Sequence, residues 1–412
     1  MLRCLAVLVS ALTVLAVGCR AARDESLKTV PAEPVEVPFA LFPFRENKKW
    51  GYMNKDGQVV VPPRFIAAAD FSDHVARVET DSEWYFIDER GSRVFTIPKD
   101  WESMRPFSEG LAAFWVKGKA GYCDKNGKIV VPPKFDDVRE FSEGLAPVNI
   151  GFVERQFVPK PPEPGPGGWG FIDRTGRYVV KPTLTSADRF SEGLALVYND
   201  KGRAYIDKTG KTVLQFAPPL SKAGRVVNRA SSFSEGVAWI LASSFGDPRT
   251  AGFIDKSGKF VIEPQFDFAK DFSGGLAVVR LDGREGYIDH TGRVVIEPQF
   301  DDAEPFSDGL AAVRLGDAWG FINREGKFVI HPRKKDQRPG LINDVDWYRG
   351  GRQRVFYGGL ARVHIGGEYL LLRDQRSHWT GGAWYYVNRQ GEIVRRVRLD
   401  SEQGPGSGHG TR

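Results

Sequence analysis

Six acidic side chains recur along the chain, Asp73, Glu109, Glu143, Glu192, Glu235 and Asp308, each closing a Phe-Ser-acid block. Carboxylates brought together in pairs could serve as general acid and base, or gather calcium. Gly274 and Gly358 interrupt the column, and turn capping with solubility accounts for it without a ligand. Asp124-Lys125-Asn126-Gly127 has the look of half a calcium loop, but Tyr122 holds the preceding ligand position, so a hairpin turn is expected. Gly210-Lys211-Thr212 ends like a phosphate-binding loop, yet Tyr205 stands where the first glycine belongs. His74, His290, His331, His364, His378 and His409 show no metal spacing, and no nucleophile elbow or Cys–His motif occurs. No catalytic centre, metal site or cofactor site is expected. Binding is the chemistry that remains.

Two aromatic columns could supply contact area. One is filled in every copy of a repeated unit, by Tyr52, Phe86, Tyr122, Phe171, Tyr205, Phe253, Tyr287, Phe321 and Tyr386. Phe and Tyr exchange freely there, which marks a core position. The other holds Trp50, Trp84, Trp169, Trp319 and Trp384, but Ala120, Ala251 and Glu285 replace it elsewhere. A column that tolerates Ala and Glu is expected to be half-buried, and its tryptophans are the candidate ligand contacts.

The unit that positions these residues is plainest from Glu285 to Arg314. In Trp169–Asp173 the side chains alternate between faces, as in a strand. Asp173 can bond backbone two residues on, and Gly176 can close a tight turn in the left-handed conformation. A β-branched return strand follows, with Pro182 expected to end its pairing. Phe190-Ser191-Glu192-Gly193 then turns the chain into the next unit. No stretch keeps a helical apolar period for three turns, so the chain reads as all-β. Gly258, Gly292 and Gly326 stand 34 residues apart, and longer intervals elsewhere mark insertions at about 151–168, rich in Pro and Gly, and about 331–355, rich in basic residues.

Trp50-Gly51-Tyr52-Met53, Trp169-Gly170-Phe171-Ile172 and Trp319-Gly320-Phe321-Ile322, with the Pro-Pro-x-Phe and Phe-Ser-Glu-Gly-Leu-Ala blocks that follow, resemble bacterial WG (KWG) repeats. The resemblance spans about residues 42–394. It implies a surface or envelope repeat protein and brings no shared catalytic activity. About nine three-stranded meanders result, with atypical first and last units as end caps. An open, curved solenoid is expected. A closed propeller-like ring is the alternative, but nine copies exceed the usual four to eight blades, three strands fall short of four, and no terminal segment completes another unit's sheet.

Residues 1–18 form a short basic and apolar secretory signal, and Ala16-Val17-Gly18-Cys19 resembles a lipobox with Cys19 as the lipidated residue. Plain cleavage and secretion, periplasmic or external, is the alternative. Residues 19–41 form a charged, Pro-bearing tether reaching up to about 60 Å at ~3.3 Å per residue. Arg20, in place of an inner-membrane Asp, favours an outer-membrane or cell-surface lipoprotein. Residues 395–412 have the composition of a disordered tail. The net charge of +6, from 58 basic and 52 acidic side chains mixed along the chain, gives no nucleic-acid stripe. The expected function is a non-catalytic envelope scaffold binding a protein partner. A glycan-binding module is the alternative; an envelope hydrolase would require two loop carboxylates about 5–10 Å apart in one pocket.

Overall fold

The computed structural model describes residues 40–151, 168–216, 226–243, 250–332 and, with short breaks, 342–399. The signal, Cys19 and the tether before residue 40 lie outside the described residues. So do nearly all of 151–168 and the chain beyond Leu399.

Nine small antiparallel sheets stand in a ring, and the chain is a nine-bladed β-propeller rather than an open solenoid. Blades 1 to 9 span residues 42–65, 67–96, 103–135, 137–184, 186–215, 226–266, 268–300, 302–330 and 342–399. Blade 4 shows the pattern: a two-residue inner strand Asp137–Val138, a second strand Leu145–Ile150, a third Gly168–Asp173 and an outer strand Tyr178–Leu184. The inner strand is the fourth strand that the sequence reading lacked. At two residues it is too short to show a period. Blade 1 lacks it and has three strands.

Among the described residues no strand is exchanged between the ends of the chain, and the ring closes by packing. Tyr386 of blade 9 donates to the Pro43 carbonyl of blade 1 at 3.1 Å and meets the Phe42 ring edge-on at 5.4 Å. Arg395 donates to the Gly57 carbonyl, pairs with Glu46 at 3.2 Å and lies over the Phe44 ring at 3.9 Å. The absence of a completing terminal strand therefore does not force the chain open. The last strand, Ile393–Leu399, also claims residues assigned to a disordered tail, because Val397 is buried in the closing seam while Arg395 reaches outward. Part of the basic insertion is likewise ordered as the inner strand of blade 9, Ile342–Val345.

Both faces of each sheet are covered by neighbouring blades, so Trp169, Phe171 and Ile172 are all buried despite pointing to opposite faces. The Asp-x-x-Gly turns form as expected. The Asp173 carboxylate accepts from the Thr175 and Arg177 amides at 2.8 and 3.1 Å, and Gly176 has φ +83°.

Pro182 does not end its strand. Trp169 pairs with Leu184 and Phe171 with Val180, so Gly170 faces three residues, Lys181 to Thr183. Proline is tolerated in this bulge on an outer strand because no ladder bond needs its N–H. The bulged backbone lies so close that a Cβ on Gly170 would sit 2.5 Å from the Val180 carbonyl oxygen and 2.8 Å from the Pro182 nitrogen. Gly51, Gly121, Gly252, Gly286 and Gly320 meet the same obstacle. In blades 2 and 5, Tyr85 and Ala204 replace the glycine, and the outer strands pair without the three-residue bulge. The glycine after Trp and the proline of the next strand are thus two halves of one device.

Gly170→Ala should therefore destabilise the ring by about 1–3 kcal/mol through backbone overpacking. A urea midpoint equal to that of the unaltered chain would refute this. The turn carboxylates give a second test. Hydrogen bonds from Thr291 and then Arg293 hold Asp289 down to about 2, and Asp173, Asp207 and Asp255 are lowered by Thr175, Thr209 and Ser257 in the same way. Their folded values lie below the unfolded value of about 3.9. The stability they contribute is present above about pH 4 and is lost as pH falls toward 2. Replacing all four by Asn, the residue that already makes this turn at Asn54 and Asn388, should flatten the loss of stability between about pH 4 and 2. An unchanged acid limb would count against these turns as its source.

Candidate functional site

The Phe-Ser-acid-Gly turns come together around the axis, where they line a cavity of about 800 Å³. Each Ser hydroxyl reaches the next blade. Ser72, Ser108, Ser142, Ser191, Ser234 and Ser273 donate to the carbonyls of Phe107, Phe141, Phe190, Phe233, Phe272 and Phe306 at 2.6–2.8 Å. Ser307 instead accepts from the Phe356 amide. The Phe at the head of each turn meets the core aromatic of the preceding blade. Tyr122–Phe141, Phe171–Phe190 and Tyr287–Phe306 are edge-on pairs, each at 4.9 Å.

The acidic column serves the same seams. Its residues have φ between +50° and +55°, which turns each carboxylate toward the neighbouring blade. Gly144, Gly193, Gly236 and Gly275 donate their amides to Glu109, Glu143, Glu192 and Glu235 at 2.9–3.0 Å. Cations from the next blade's hairpin approach as well: Lys125 pairs with Asp73 at 3.3 Å, Lys208 with Glu143 at 3.0 Å and Lys256 with Glu192 at 3.2 Å. Glu140, also on the cavity wall, pairs with Arg105 and Arg189. The capping expected within each turn is capping between blades. Among the described residues no group of three or more His, Cys, Asp or Glu is placed to hold a metal ion. Cys123 is a buried free thiol that burial pushes up to about 12.

The tryptophan column is more deeply placed than a half-buried ligand surface would be. Trp50, Trp169 and Trp319 are buried, Trp384 is half-buried, and only Trp84 is exposed, at 36%. The five belong to five different blades, with Arg77 over Trp84, Arg139 over Trp169 and Arg314 over Trp319. Where the column loses its Trp, the residue directly across on the second strand compensates. Trp115 stands opposite Ala120, and Arg280 pairs with the fully buried Glu285 at 2.5 Å. Tyr198 stands opposite Arg203 in blade 5.

The last exchange leaves space. A cleft of about 300 Å³ opens between blades 5 and 6, lined among the described residues by Ser186, Asp188, Tyr198, Arg203, Arg229 and Trp239, with Leu196, Val197 and Ala230 behind them. The guanidinium of Arg203 lies 5.7 Å from the Tyr198 ring centre. Asp188 is paired with Arg139. The Trp239 backbone amide donates to the Ser231 hydroxyl at 3.1 Å, and Asp271 of blade 7 lies beside both side chains. Protein atoms crowd that carboxyl and raise it above its usual range, although it stays open to the axial cavity. Arg203, Arg229 and Trp239 lie outside the stretches that carry the repeat signature. Their sequence signal was departure from it: Arg203 in the Trp column, and Trp239 where blades 3, 4, 7 and 8 have Ala113, Pro147, Val278 and Ala312.

A family model described as the WG containing repeat matches residues 50–84, 121–151, 169–201, 252–284, 286–317 and 319–333. Blades 2, 5 and 9, whose third strands these stretches leave out, are the blades without the glycine after Trp. No curated protein matches the sequence. Among solved structures, the crystal structure of a eukaryotic initiation factor aligns with a TM-score of 0.53 at 11% identity, over 88% of this chain and 97% of that one, which supports the fold. The extracellular domain of a putative one-component system from B. thetaiotaomicron aligns at 0.33 and 11% identity, over 80% and 55%. Dihydro-heme d1 dehydrogenase aligns at 0.38 and 14% identity, over 90% and 76%; neither of these two bears on the argument. With its repeat matched from residue 50 to residue 333 and built out as like blades around one axis, this chain belongs to the WG repeat-containing proteins.

Proposed function

We propose that the propeller is a non-catalytic scaffold, displayed from an outer membrane or cell surface by lipid on Cys19, that docks a protein partner. The observation carrying this reading is the division of labour between its two faces. One face carries the Ser-acid-Gly turns, whose carboxylates are tied to amides and cations of neighbouring blades, and the Asp-x-x-Gly hairpins, whose carboxylates are tied to amides of their own turn. Side chains so engaged build seams and leave no pair free for acid–base work. Antiparallel order puts the connections between second and third strands, and the links from one blade to the next, on the opposite face. Length varies mainly there: the second strand ends at Leu281 and the third begins at Arg284 in blade 7, but at Ile150 and Gly168 in blade 4, and blade 6 begins eleven residues after Gln215 whereas blade 8 begins two after Phe300. Repeat proteins that vary their loops on one face commonly bind with that face.

A photo-crosslinker at Asp317, on the loop face, should capture an envelope protein that the same group at Asn126, on the turn face, does not. Equal capture from both positions would overturn the assignment of faces. Cys19→Ala should move the chain from the membrane fraction to the soluble fraction, and a variant still sedimenting with membranes would rule out the lipid anchor.

A further inference from the structure

The cleft between blades 5 and 6 has a composition that the seams do not explain. In every other blade the Trp column holds Trp, Ala opposite a large residue, or a buried Glu neutralised by Arg280. Blade 5 alone holds Arg203 there. Arg203 and Arg229 both line the cleft, and neither guanidinium has a carboxylate partner among the described residues. Two unneutralised guanidinium groups beside one cavity attract an anion and suit the flat, bidentate geometry of a carboxylate. Trp239 adds a large half-buried ring, with Asp271 of blade 7 beside it. An aromatic face next to polar groups is suited to the apolar face of a sugar ring.

We propose that this cleft is a subsite for a carboxylated pyranose, one uronate residue of an acidic polysaccharide. Its carboxylate lies between Arg203 and Arg229, its ring rests on Trp239, and its hydroxyls donate to Asp188. The size agrees: about 300 Å³ is at the low end for ligand pockets and suits one sugar ring better than a peptide segment. Asp188 also sets the charge. Its carboxylate accepts from hydroxyls but repels a second negative charge, which favours a carboxylate monoanion over a phosphate dianion. The inference stands apart from the protein-docking reading, and neither rests on the other.

Titration of the full chain with a short oligogalacturonate, followed by calorimetry and by Trp fluorescence, tests it. Saturable binding is expected, with neutral cello-oligosaccharides failing to compete. Arg203→Ala with Arg229→Ala should weaken binding about tenfold to a hundredfold, the loss expected for hydrogen bonds to a charged group. Arg229→Ala alone, at an exposed position, should weaken it with an unchanged thermal midpoint, which separates loss of the subsite from loss of folding. Trp239→Ala should abolish the fluorescence response. Absence of saturable binding to the folded chain, equal affinity for the neutral oligosaccharide, stronger binding of a sugar phosphate, or an unchanged affinity in the double Arg variant would each overturn the proposal.

Discussion

Everything in this molecule depends on the seam between adjacent blades. A blade of four short strands has two apolar faces and cannot bury either one alone. The seam covers both, and does so through contacts that recur around the ring: a Phe ring edge-on to an aromatic at 4.9 Å, a Ser hydroxyl on a carbonyl, and a carboxylate on a Gly amide. Each is worth only about 1 kcal/mol. Their strength lies in repetition at a constant geometry, because a ring closes only if every seam turns the chain by the same step. The Ser and acidic residues are therefore orienting groups as much as stabilising ones. At Gly358, one of the two positions where the acid is missing, a neighbour takes its space: a side chain there would meet Ala40, just before blade 1, at 2.4 Å.

The glycine–proline bulge shows how a local rule serves this global one. Twisting of the outer strand against the third is concentrated at one point, where three residues face a single glycine. The turn glycines point the same way between blades: a Cβ on Gly176 would strike Val131, and one on Gly210 would strike Val180, each on the preceding blade's outer strand. Blades 2 and 5 lack the bulge and remain in the ring, so the device sharpens the outer edge rather than determining closure.

This explains what was legible in the sequence. The strands, the Asp-x-x-Gly turns and the core aromatics are local and periodic, so residues such as Asp173, Gly176 and Phe171 announce their roles. The two-residue inner strands do not, since Asp137–Val138 carries no period and forms only because Leu145–Ile150 pairs with it. Closure was hidden for a different reason. It rests on the seam angle and on Arg395, whose partners Glu46, Phe44 and Gly57 lie more than 330 residues away. The Trp column misled because Ala120 and Glu285 look like signs of exposure, whereas Trp115 and Arg280 fill the same space from across the strand.

A repeat built around its own seams carries an implication for where recognition can reside. The most regular residues are committed to neighbours, so regularity itself argues against a ligand role at Ser142 or Glu143. A residue becomes available for binding when it departs from the repeat and no partner across the strand restores the lost packing. Ala120 is restored by Trp115 and Glu285 by Arg280. Arg203 is answered only by Tyr198, which stacks on it without filling the volume of a tryptophan, and there a cleft of about 300 Å³ remains. Trp239 borders that cleft from a position that blades 3, 4, 7 and 8 fill with Ala113, Pro147, Val278 and Ala312, and Asp271 of the blade beyond lies beside it. Two departures on adjacent blades thus converge on one space, with Asp271 of a third blade beside one of them.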